Sequence, residues 1–279
     1  MSYIEVKIVI PVYNQVLNNV EKTSLFRALK IFNRRPIEFI APDGLDVRSL
    51  TDLIEYKHNN FSFSFFPPEF FKSIEGYNRL LLTSNFYNQF INAEFILIYQ
   101  LDAYIFRDEL KKWCGMGYDY IGAPWIISNG NTIKIEEFAG NGGFSLRRVS
   151  SCLETLMINK MIVLNPFQLI NQYKNYGIIR VVEKLPLIAA RSLGFRNNTR
   201  YYIDSNTKKE DIFWAYFASS INKNFKSIKG IDAVAFSFDR YPSYLYKLNN
   251  YKLPCGCHSW FKNEPLFWAQ FINTSSSQI

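Results

Sequence analysis

The feature that most constrains the fold is an apolar run that follows Glu94 and stops abruptly at Gln100 and Asp102. A continuous apolar run of this length is typical of a strand buried on both faces, as in a parallel sheet covered by helices. Because side chains alternate along a strand, we expect Gln100 and Asp102 to point the same way where the strand leaves the sheet. Ligands of open α/β sheets bind at that carboxyl end. Asp102 is therefore a candidate ligand for a divalent cation.

The segments around this strand alternate between strand-like and helix-like patterns. Strands are predicted at residues 6–11, 37–41 and 61–66, and helices at residues 16–32, 48–57 and 77–90. This order predicts an α/β fold with a mainly parallel open sheet flanked by helices. It also predicts that the first half of the chain is a Rossmann-like nucleotide-binding half.

The second half of the chain is less regular. The pattern predicts a short strand at residues 119–123, a glycine turn at 140–143, helices at 146–157 and 207–221, and a loop at 253–260. Residues 160–205 have no clear pattern. We predict one domain over residues 1–279, with a nucleotide-binding half (1–108), an acceptor and catalytic half (109–265) and a C-terminal tail (266–279).

Composition limits the partners of the chain. The formal net charge of +8 favours polyanions, phosphate-bearing ligands or anionic membrane surfaces. The basic residues form only short scattered pairs, so nucleic-acid binding is not expected. Four cysteines without a CxxC pair are typical of a reducing compartment, and no apolar run approaches the roughly 20 residues of a spanning helix. We expect a cytoplasmic protein that could also rest on the inner face of a membrane.

The chain lacks the usual loops that bind phosphate. Neither GxGxxG nor GxxxxGK[ST] follows the first strand, which disfavours a dinucleotide site and a P-loop. A divalent cation is the simplest substitute, because it can bridge carboxylate and phosphate oxygens. Asp102 and His258 are candidate ligands, although Asp102 could be an ordinary turn carboxylate and His258 a structural histidine. A zinc site of Cys255, Cys257 and His258 is a further alternative that needs a distant fourth ligand.

Two further segments suit a sugar site. The glycines of residues 140–143 could let the backbone approach a sugar or phosphate, although a tight turn before a core helix is the simpler explanation of the glycines alone. Thr207 and Glu210 fit a capping box, which would make Glu210 a structural acid. Asp211 is then the more available carboxylate, with Trp214 as a platform for an apolar sugar face. A helix N-terminus lowers a carboxyl pKa, which opposes a base role for Asp211 unless burial offsets it.

Six segments, taken in order, resemble nucleotide-sugar glycosyltransferases of the GT-A fold, in particular a poorly characterised group with similar motifs. They are IVIPVYN at 8–14, YQLDAYIF at 99–106, YIGAPW at 120–125, GNGGFSLR at 140–147, EDIFW at 210–214 and GCHSW at 256–260. Each motif is weak alone, but the ordered set is fairly specific.

The resemblance implies a role for each matching residue. Residues near the nucleotide base and ribose would be Pro11, Tyr13 and Asp43, and Arg79 would contact the diphosphate or sugar. Asp102 would be the second acid of the metal motif, and His258 would complete the metal site. The sugar and acceptor pocket would be lined by Asn141, Gly142 and Gly143, and the base of an inverting enzyme would be Glu210 or Asp211.

Gln100 departs from these motifs, which usually carry an Asp there. A neutral amide can hydrogen-bond a ribose or sugar hydroxyl, but it attracts Mn²⁺ or Mg²⁺ less, so the metal is expected to bind weakly or to be dispensable. The resemblance implies metal-assisted, inverting transfer of a sugar from a nucleoside-diphosphate sugar, with UDP favoured, to a glycan or glycoconjugate acceptor in polysaccharide synthesis. The residues alone leave open a noncatalytic sugar-nucleotide or glycan-binding module, or a basic protein that binds polyanions or membrane surfaces.

Overall fold

The computed structural model describes residues 6–55, 58, 60–130, 132–174, 177–205 and 209–273. The strands are β1 (Val6–Pro11), β2 (Ile37–Pro42), β3 (Phe61–Phe66), β4 (Phe95–Tyr99), β5 (Ala103–Ile105), β6 (Tyr120–Ile121), β7 (Pro124–Ser128), β8 (Ile133–Ala139), β9 (Phe144–Arg148), β10 (Ser237–Phe238) and β11 (Gly256–His258).

The α-helices are α1 (Asn19–Ile31), α2 (Arg48–Glu55), α3 (Ile74–Leu80), α4 (Ser84–Asn88), α5 (Leu110–Cys114), α6 (Val149–Met157), α7 (Pro166–Lys174), α8 (Ile178–Glu183), α9 (Leu185–Ser192), α10 (Thr199–Ser205), α11 (Glu210–Ile212), α12 (Ala218–Ile221), α13 (Pro242–Leu248) and α14 (Pro265–Trp268). A 3₁₀ turn spans Pro68–Phe70, and a π-helical turn, Phe213–Phe217, joins α11 to α12.

The central sheet has six strands in the order β3-β2-β1-β4-β9-β6. Strands β3, β2, β1 and β4 are parallel, and β9 runs antiparallel to both of its neighbours. Helices cover both faces: Leu97 and Tyr99 of β4 join one apolar cluster with residues of α1, whereas Ile96 and Ile98 join another with residues of α3, α4 and α6. The predicted α/β fold with a mainly parallel sheet flanked by helices is confirmed, as is the burial of β4 on both faces.

The chain turns immediately after β4, and this turn positions the site. The Ala103 N–H donates to the Gln100 carbonyl oxygen over 2.8 Å, and the Gln100 N–H donates to the Gly143 carbonyl oxygen over 2.8 Å. A second sheet, in the order β10-β11-β5, follows the turn. In it Ala103 of β5 lies opposite His258 of β11. Strand pairing therefore brings His258 beside Asp102 from a distant part of the sequence.

The prediction of one helix at 77–90 is wrong, because this region contains two short helices, α3 and α4. The hydroxyl of Thr83 accepts a hydrogen bond from the Phe86 N–H and starts α4 as a separate helix. The predicted start of the helix at residue 146 is also wrong. Residues 146–148 belong to β9, where Leu146 pairs with Leu97 of β4, and the helix begins at Val149.

The prediction of a loop near the C-terminus is wrong. The predicted loop at 253–260 contains β11, because its backbone pairs with β5 and β10. The predicted tail at 266–279 includes most of α14, whose Trp268 is fully buried in an apolar cluster with Phe238 and Leu245. Residues 274–279 lie outside the described residues.

The weakly patterned region 160–205 contains the four short helices α7 to α10. The predicted helix at 207–221 is broken into α11, the π-helical turn and α12. Thr207, and with it the predicted capping box, lies outside the described residues. Across the ranges that the structure describes, no helix combines the length and the apolar character needed to cross a membrane.

Candidate functional site

Two cavities adjoin at the carboxyl ends of β1 and β4. The strand-end cavity, about 590 Å³, lies between the residues after β1, the start of α1 and the turn after β4. The glycine-loop cavity, about 690 Å³, lies between residues 141–143, residues 209–211 and the segment after β11. Both are lined by Tyr13, Gln100, Asp102 and Lys262. The predicted strand-end pair Gln100 and Asp102 therefore lies at the junction of two spaces of ligand size.

Asp102 and His258 form the polar centre of this junction. His258 Nε2 lies 3.0 Å from Asp102 Oδ1, and His258 Nδ1 lies 3.6 Å from Asp239 Oδ1. Burial disfavours the charged imidazole, but Asp102 and then Asp239 outweigh it and raise the pKa of His258 to about 9. Burial likewise opposes the charged form of Asp102, yet His258 and Lys262 together hold the pKa of its carboxyl below the usual value. The predicted pairing of Asp102 with His258 is thus present as a charged contact.

The atoms at the junction fit a divalent cation. Besides Asp102 Oδ1, Gln100 Oε1 lies 3.4 Å from His258 Nε2. Neighbouring ligands of an octahedral ion with bonds of about 2.1 Å lie about 3 Å apart, which is close to these separations. Within the described ranges no three His, Cys, Asp or Glu side chains are grouped to hold a metal. The fitting set is therefore one carboxylate, one imidazole and one amide oxygen, and coordination would require His258 to lose its Nε2 proton.

The zinc alternative at Cys255 and Cys257 is wrong. Both thiols are buried and belong to different apolar clusters, and neither forms part of a metal-ligand group in the described residues. Burial raises the pKa of the Cys255 thiol to about 12, as is typical of a structural cysteine in an apolar cluster.

The glycines of the 140–143 turn are explained by close protein contacts. A Cβ at Gly143 would overlap the His258 ring and lie 2.8 Å from Gln100 Oε1, and a Cβ at Gly142 would lie 2.9 Å from Glu210 Oε1. Asn141 is buried; its Oδ1 accepts hydrogen bonds from the Gly143 and Phe144 N–H groups, and its Nδ2 lies 3.2 Å from His258 Nδ1. Asn141, Gly142 and Gly143 line the glycine-loop cavity. They also fix the position of His258.

Glu210 is held in a fully buried ion pair. Arg147 Nη2 lies 2.7 Å from Glu210 Oε1 and Arg147 Nη1 lies 3.1 Å from Glu210 Oε2, and both side chains have no exposed surface. Arg147 also donates to the Ser145 and Tyr87 hydroxyls. Burial raises the pKa of Glu210 despite the opposing charge of Arg147. A carboxylate held by two guanidinium hydrogen bonds is a structural acid, in agreement with the interpretation of Glu210, although its partner is Arg147.

Asp211 remains the available carboxylate. It is only partly buried and lines the glycine-loop cavity, where no cation forms an ion pair with it in the described residues. Burial raises the pKa of Asp211 above its ordinary value, against the lowering effect of a hydrogen bond from the Ile212 N–H. The helix N-terminus is thus outweighed by burial, which was the condition for Asp211 to serve as a base.

The prediction that Trp214 is a sugar platform is wrong. Trp214 is fully buried in the π-helical turn, where it stacks on Phe225 and meets the edge of Tyr87. The aromatic wall of the glycine-loop cavity is instead formed by Tyr13, Phe71 and Tyr77, with Tyr13 in edge contact with the other two rings. Phe71 was not predicted, because it belongs to no motif. The 3₁₀ turn that precedes it places its ring at the wall of the glycine-loop cavity.

Two residues implied by the resemblance lie outside both cavities. Asp43 follows β2 and is exposed, and Arg79 is exposed on α3, while its neighbours Tyr77 and Asn78 line the glycine-loop cavity. Helix periodicity explains this outcome for Arg79, because successive residues of a helix face different directions. Pro11 and Tyr13 do line the strand-end cavity.

Two residues of the site, Asp239 and Lys262, were not predicted from the sequence. Asp239 directly follows β10, accepts a hydrogen bond from Asn263 Nδ2 over 3.1 Å and faces His258. Lys262 Nζ lies 3.7 Å from Asp102 Oδ2. Asp239 had a detectable signal, because it ends an apolar run in the same way as Asp102. Lys262 had none, since it is an exposed lysine in a loop.

Comparisons with solved structures give weak global likeness. TarS from S. aureus in complex with UDP-GlcNAc is 15% identical with a TM-score of 0.35, over 54% of this chain and 47% of that chain. The galactosyltransferase LgtC, in complex with donor and acceptor sugar analogues, is 12% identical with a TM-score of 0.46, over 90% and 86%. The glycosyltransferase GlyE of Streptococcus pneumoniae TIGR4 is 10% identical with a TM-score of 0.45, over 97% and 58%. The chain thus spans about half the length of TarS.

A comparison with curated proteins found no match. The family model described as a protein of unknown function, DUF5672, matches residues 60–258, which include the turn after β4, the glycine turn, Asp211 and His258. Since this match covers more than half of the sequence, the chain belongs to the DUF5672 family.

Proposed function

We propose that the protein is a glycosyltransferase that moves a sugar from a nucleoside-diphosphate sugar, with UDP-sugars favoured, to an acceptor hydroxyl with inversion of configuration. The observation that carries this proposal is the pair of adjoining cavities. Gln100 and Asp102 line both cavities, whereas Asp211, whose carboxylate forms no ion pair within the described ranges, lines only the glycine-loop cavity. A transferase needs this separation, because the leaving group and the acceptor occupy different spaces around one reacting sugar carbon.

The strand-end cavity suits the nucleotide. Pro11, Val12, Leu17 and Val20 supply apolar surface for a base, and the start of α1 supplies polar groups. The diphosphate would lie at the junction, where Lys262 supplies a positive charge. Burial of a flat, partly apolar base against such surface favours binding.

Asp102, His258 and Gln100 would hold Mn²⁺ or Mg²⁺ beside the diphosphate. When bound, the ion would neutralise the negative charge that develops on the departing diphosphate. One anionic and two neutral ligands attract the cation less than two carboxylates do, so the metal is expected to bind weakly in the absence of the nucleotide.

Asp211 would act as the general base on the acceptor hydroxyl. A base must be ionised and yet basic enough to accept a proton, and burial moves the pKa of Asp211 in the required direction. The carboxylate of Glu210 is bound by Arg147 and so is not free to act as the base. The buried pair holds the backbone in place next to Asp211. A base in the glycine-loop cavity, with the diphosphate at the junction, corresponds to attack from the face opposite the leaving group and therefore to inversion.

Binding of the donor can be measured by thermal shift with a panel of nucleoside diphosphates and their sugars, with and without Mn²⁺. A ligand at about 100 times its Kd adds about 2.7 kcal/mol of stability. At about 2–4 °C per kcal/mol, this corresponds to a rise in Tm of about 5–10 °C. We expect Mn²⁺ to increase the shift in the wild type and to have little effect in Asp102→Asn.

Asp52→Asn provides the matched control, since Asp52 is an exposed carboxylate of α2 that lines neither cavity. This variant should respond as the wild type does. Absence of a shift with every nucleotide would contradict the proposal. A shift without sugar transfer to any member of an acceptor panel would favour the sugar-nucleotide-binding module instead.

A further inference from the structure

An unusual apolar surface lies outside the two cavities, in residues 157–200. Of the 23 large apolar side chains that are exposed in the described part of the chain, ten fall in this segment. They are Met157, Met161, Ile162, Phe167, Ile178, Ile179, Val182, Leu185, Leu193 and Phe195. Exposed apolar residues that lie singly over a surface are ordinary, whereas groups of them are typical of interaction surfaces, and this segment holds two such groups.

The same segment carries most of the net charge of the chain. Seven basic residues and one acidic residue, Glu183, lie between positions 157 and 200, which gives a net charge of +6. The whole chain has a net charge of +8, so the remaining 235 residues contribute only +2. We call residues 157–200 the basic apolar segment.

One exposed apolar group lies on α8 and the start of α9. Ile178, Ile179 and Val182 are 58–76% exposed, and Leu185 is 49% exposed. Between them Val181 points inward and is buried, so the helix already has an inner apolar face. Lys174, Arg180 and Lys184 lie within the same stretch of sequence; Arg180 pairs with Glu183 over 2.8 Å, and the stretch keeps a net positive charge.

A second exposed group lies where two loops meet. A Cβ at Gly194 would lie 3.3 Å from the Met161 carbonyl oxygen, so the loops that carry Met161 and Leu193 are in contact. Met161 and Leu193 are 67% and 86% exposed. The guanidinium of Arg196 lies 5.2 Å from the centre of the Phe195 ring, which combines a cation with an exposed aromatic side chain.

These side chains are not required by the core. The inward-facing residues of the segment, including Val163, Leu164, Leu169 and Ile188, already pack into the apolar cluster beneath the central sheet. Asn197 ties the loops together, because its side chain bonds to the Leu164 N–H and carbonyl oxygen. Exposure of these ten apolar side chains to water is therefore unfavourable, and it adds nothing to the packing of the core.

We propose that the basic apolar segment docks the protein on an anionic membrane surface. Apolar side chains flanked by Lys and Arg match a lipid interface. The apolar side chains would enter the boundary between headgroups and acyl chains, and the basic side chains would attract anionic lipids. A second copy of this chain is a poorer occupant, since its own segment carries the same charge of +6. The proposal concerns a surface outside both cavities and stands whether or not the protein transfers a sugar.

Vesicle co-sedimentation of the full chain tests this proposal. The vesicles would contain phosphatidylcholine alone or with about one third phosphatidylglycerol, at 0.15 M and 0.5 M NaCl. We expect binding to the anionic vesicles that weakens at 0.5 M NaCl and on neutral vesicles, because a basic side chain near the surface contributes about five-fold in affinity. The variant Ile178→Ser/Ile179→Ser/Val182→Ser should bind at least about ten-fold more weakly, since three apolar side chains no longer enter the interface.

The control is Ile231→Ser/Leu266→Ser, which removes two apolar side chains that are 59% and 86% exposed outside the segment. It should bind as the wild type does, and both variants should keep the wild-type Tm because the changed residues are exposed. The proposal is overturned if the wild type does not bind anionic vesicles at 0.15 M NaCl, or if the triple variant binds equally well. It is also overturned if light scattering shows a dimer that the triple variant abolishes, since the occupant would then be a second copy.

Discussion

The buried pair of Arg147 and Glu210 gives a sharp test of how the site is built. The substitution Glu210→Gln keeps the shape of the side chain and removes its charge. Arg147 would keep its hydrogen bonds to Ser145 and Tyr87, but its guanidinium would have no ionic partner in a place without exposed surface. Loss of one partner from a buried pair costs about 3–5 kcal/mol, because the remaining charge cannot be solvated.

The neighbouring residue Arg148 supplies a matched control. Its Nη1 lies 2.6 Å from Glu94 Oε1, but the two side chains are 25% and 41% exposed. Water and salt screen such a pair, so Glu94→Gln should cost less than about 1 kcal/mol. At about 2–4 °C per kcal/mol, the drop in Tm should be about 6–20 °C for Glu210→Gln and below about 4 °C for Glu94→Gln.

Thermal unfolding followed by circular dichroism measures both variants under the same conditions. The double variant Arg147→Met/Glu210→Gln should be more stable than the sum of the two single variants implies, because it removes the uncompensated charge. Equal drops in Tm for Glu210→Gln and Glu94→Gln would refute the structural role assigned to the buried pair.

Three further predictions concern the reaction. In Asp211→Asn, kcat should fall about 10²- to 10⁴-fold while donor binding stays unchanged, as measured by transfer kinetics and thermal shift. Because Asp211 must be ionised and burial raises its pKa, the wild-type rate should fall as the pH drops through a value above that of an ordinary carboxyl, as a pH–rate profile would show. In Gly143→Ala the new Cβ would displace His258 and press on Gln100 at 2.8 Å, so the Mn²⁺-dependent thermal shift should disappear; Gly115→Ala, whose Cβ meets nothing closer than 3.4 Å, should retain it.

Those predictions would fail in different ways. A general-base role for Asp211 is excluded if Asp211→Asn transfers sugar at the wild-type rate. An unchanged pH profile in a slow Asp211→Asn variant would point to another base. Retention of the full Mn²⁺ response in Gly143→Ala would show that the close packing around His258 does not matter for the metal.

The sequence predicted the sheet because its signal is local. The apolar run before Gln100 predicts β4 as a buried strand, and the alternation of short strands with helices predicts that the strands run mainly parallel, as β1 does with β2 and β4. The position of Asp102 at the strand end follows from this alone. His258 was a candidate ligand by its residue type and its loop context, but nothing periodic placed it beside Asp102, since the pairing of β5 with β11 joins distant segments.

The failures have physical causes as well. Trp214 appeared available because it follows Asp211 closely, but the π-helical turn rotates it into the core. The ion pair of Arg147 with Glu210 could not be predicted from the sequence, because a pair between separate elements depends on tertiary packing. The helices of the basic apolar segment were missed since their exposed apolar side chains obscure the periodicity of one buried face.

Sugar transfer itself can be measured with the purified protein. Purified protein would be incubated with Mn²⁺, a panel of nucleoside-diphosphate sugars and a panel of glycan acceptors, and products would be detected by mass spectrometry. We expect a product with at least one donor, released together with the free nucleoside diphosphate, and loss of that product in Asp102→Asn and Asp211→Asn but not in Asp52→Asn. A product formed equally well by Asp102→Asn and Asp211→Asn would contradict this expectation.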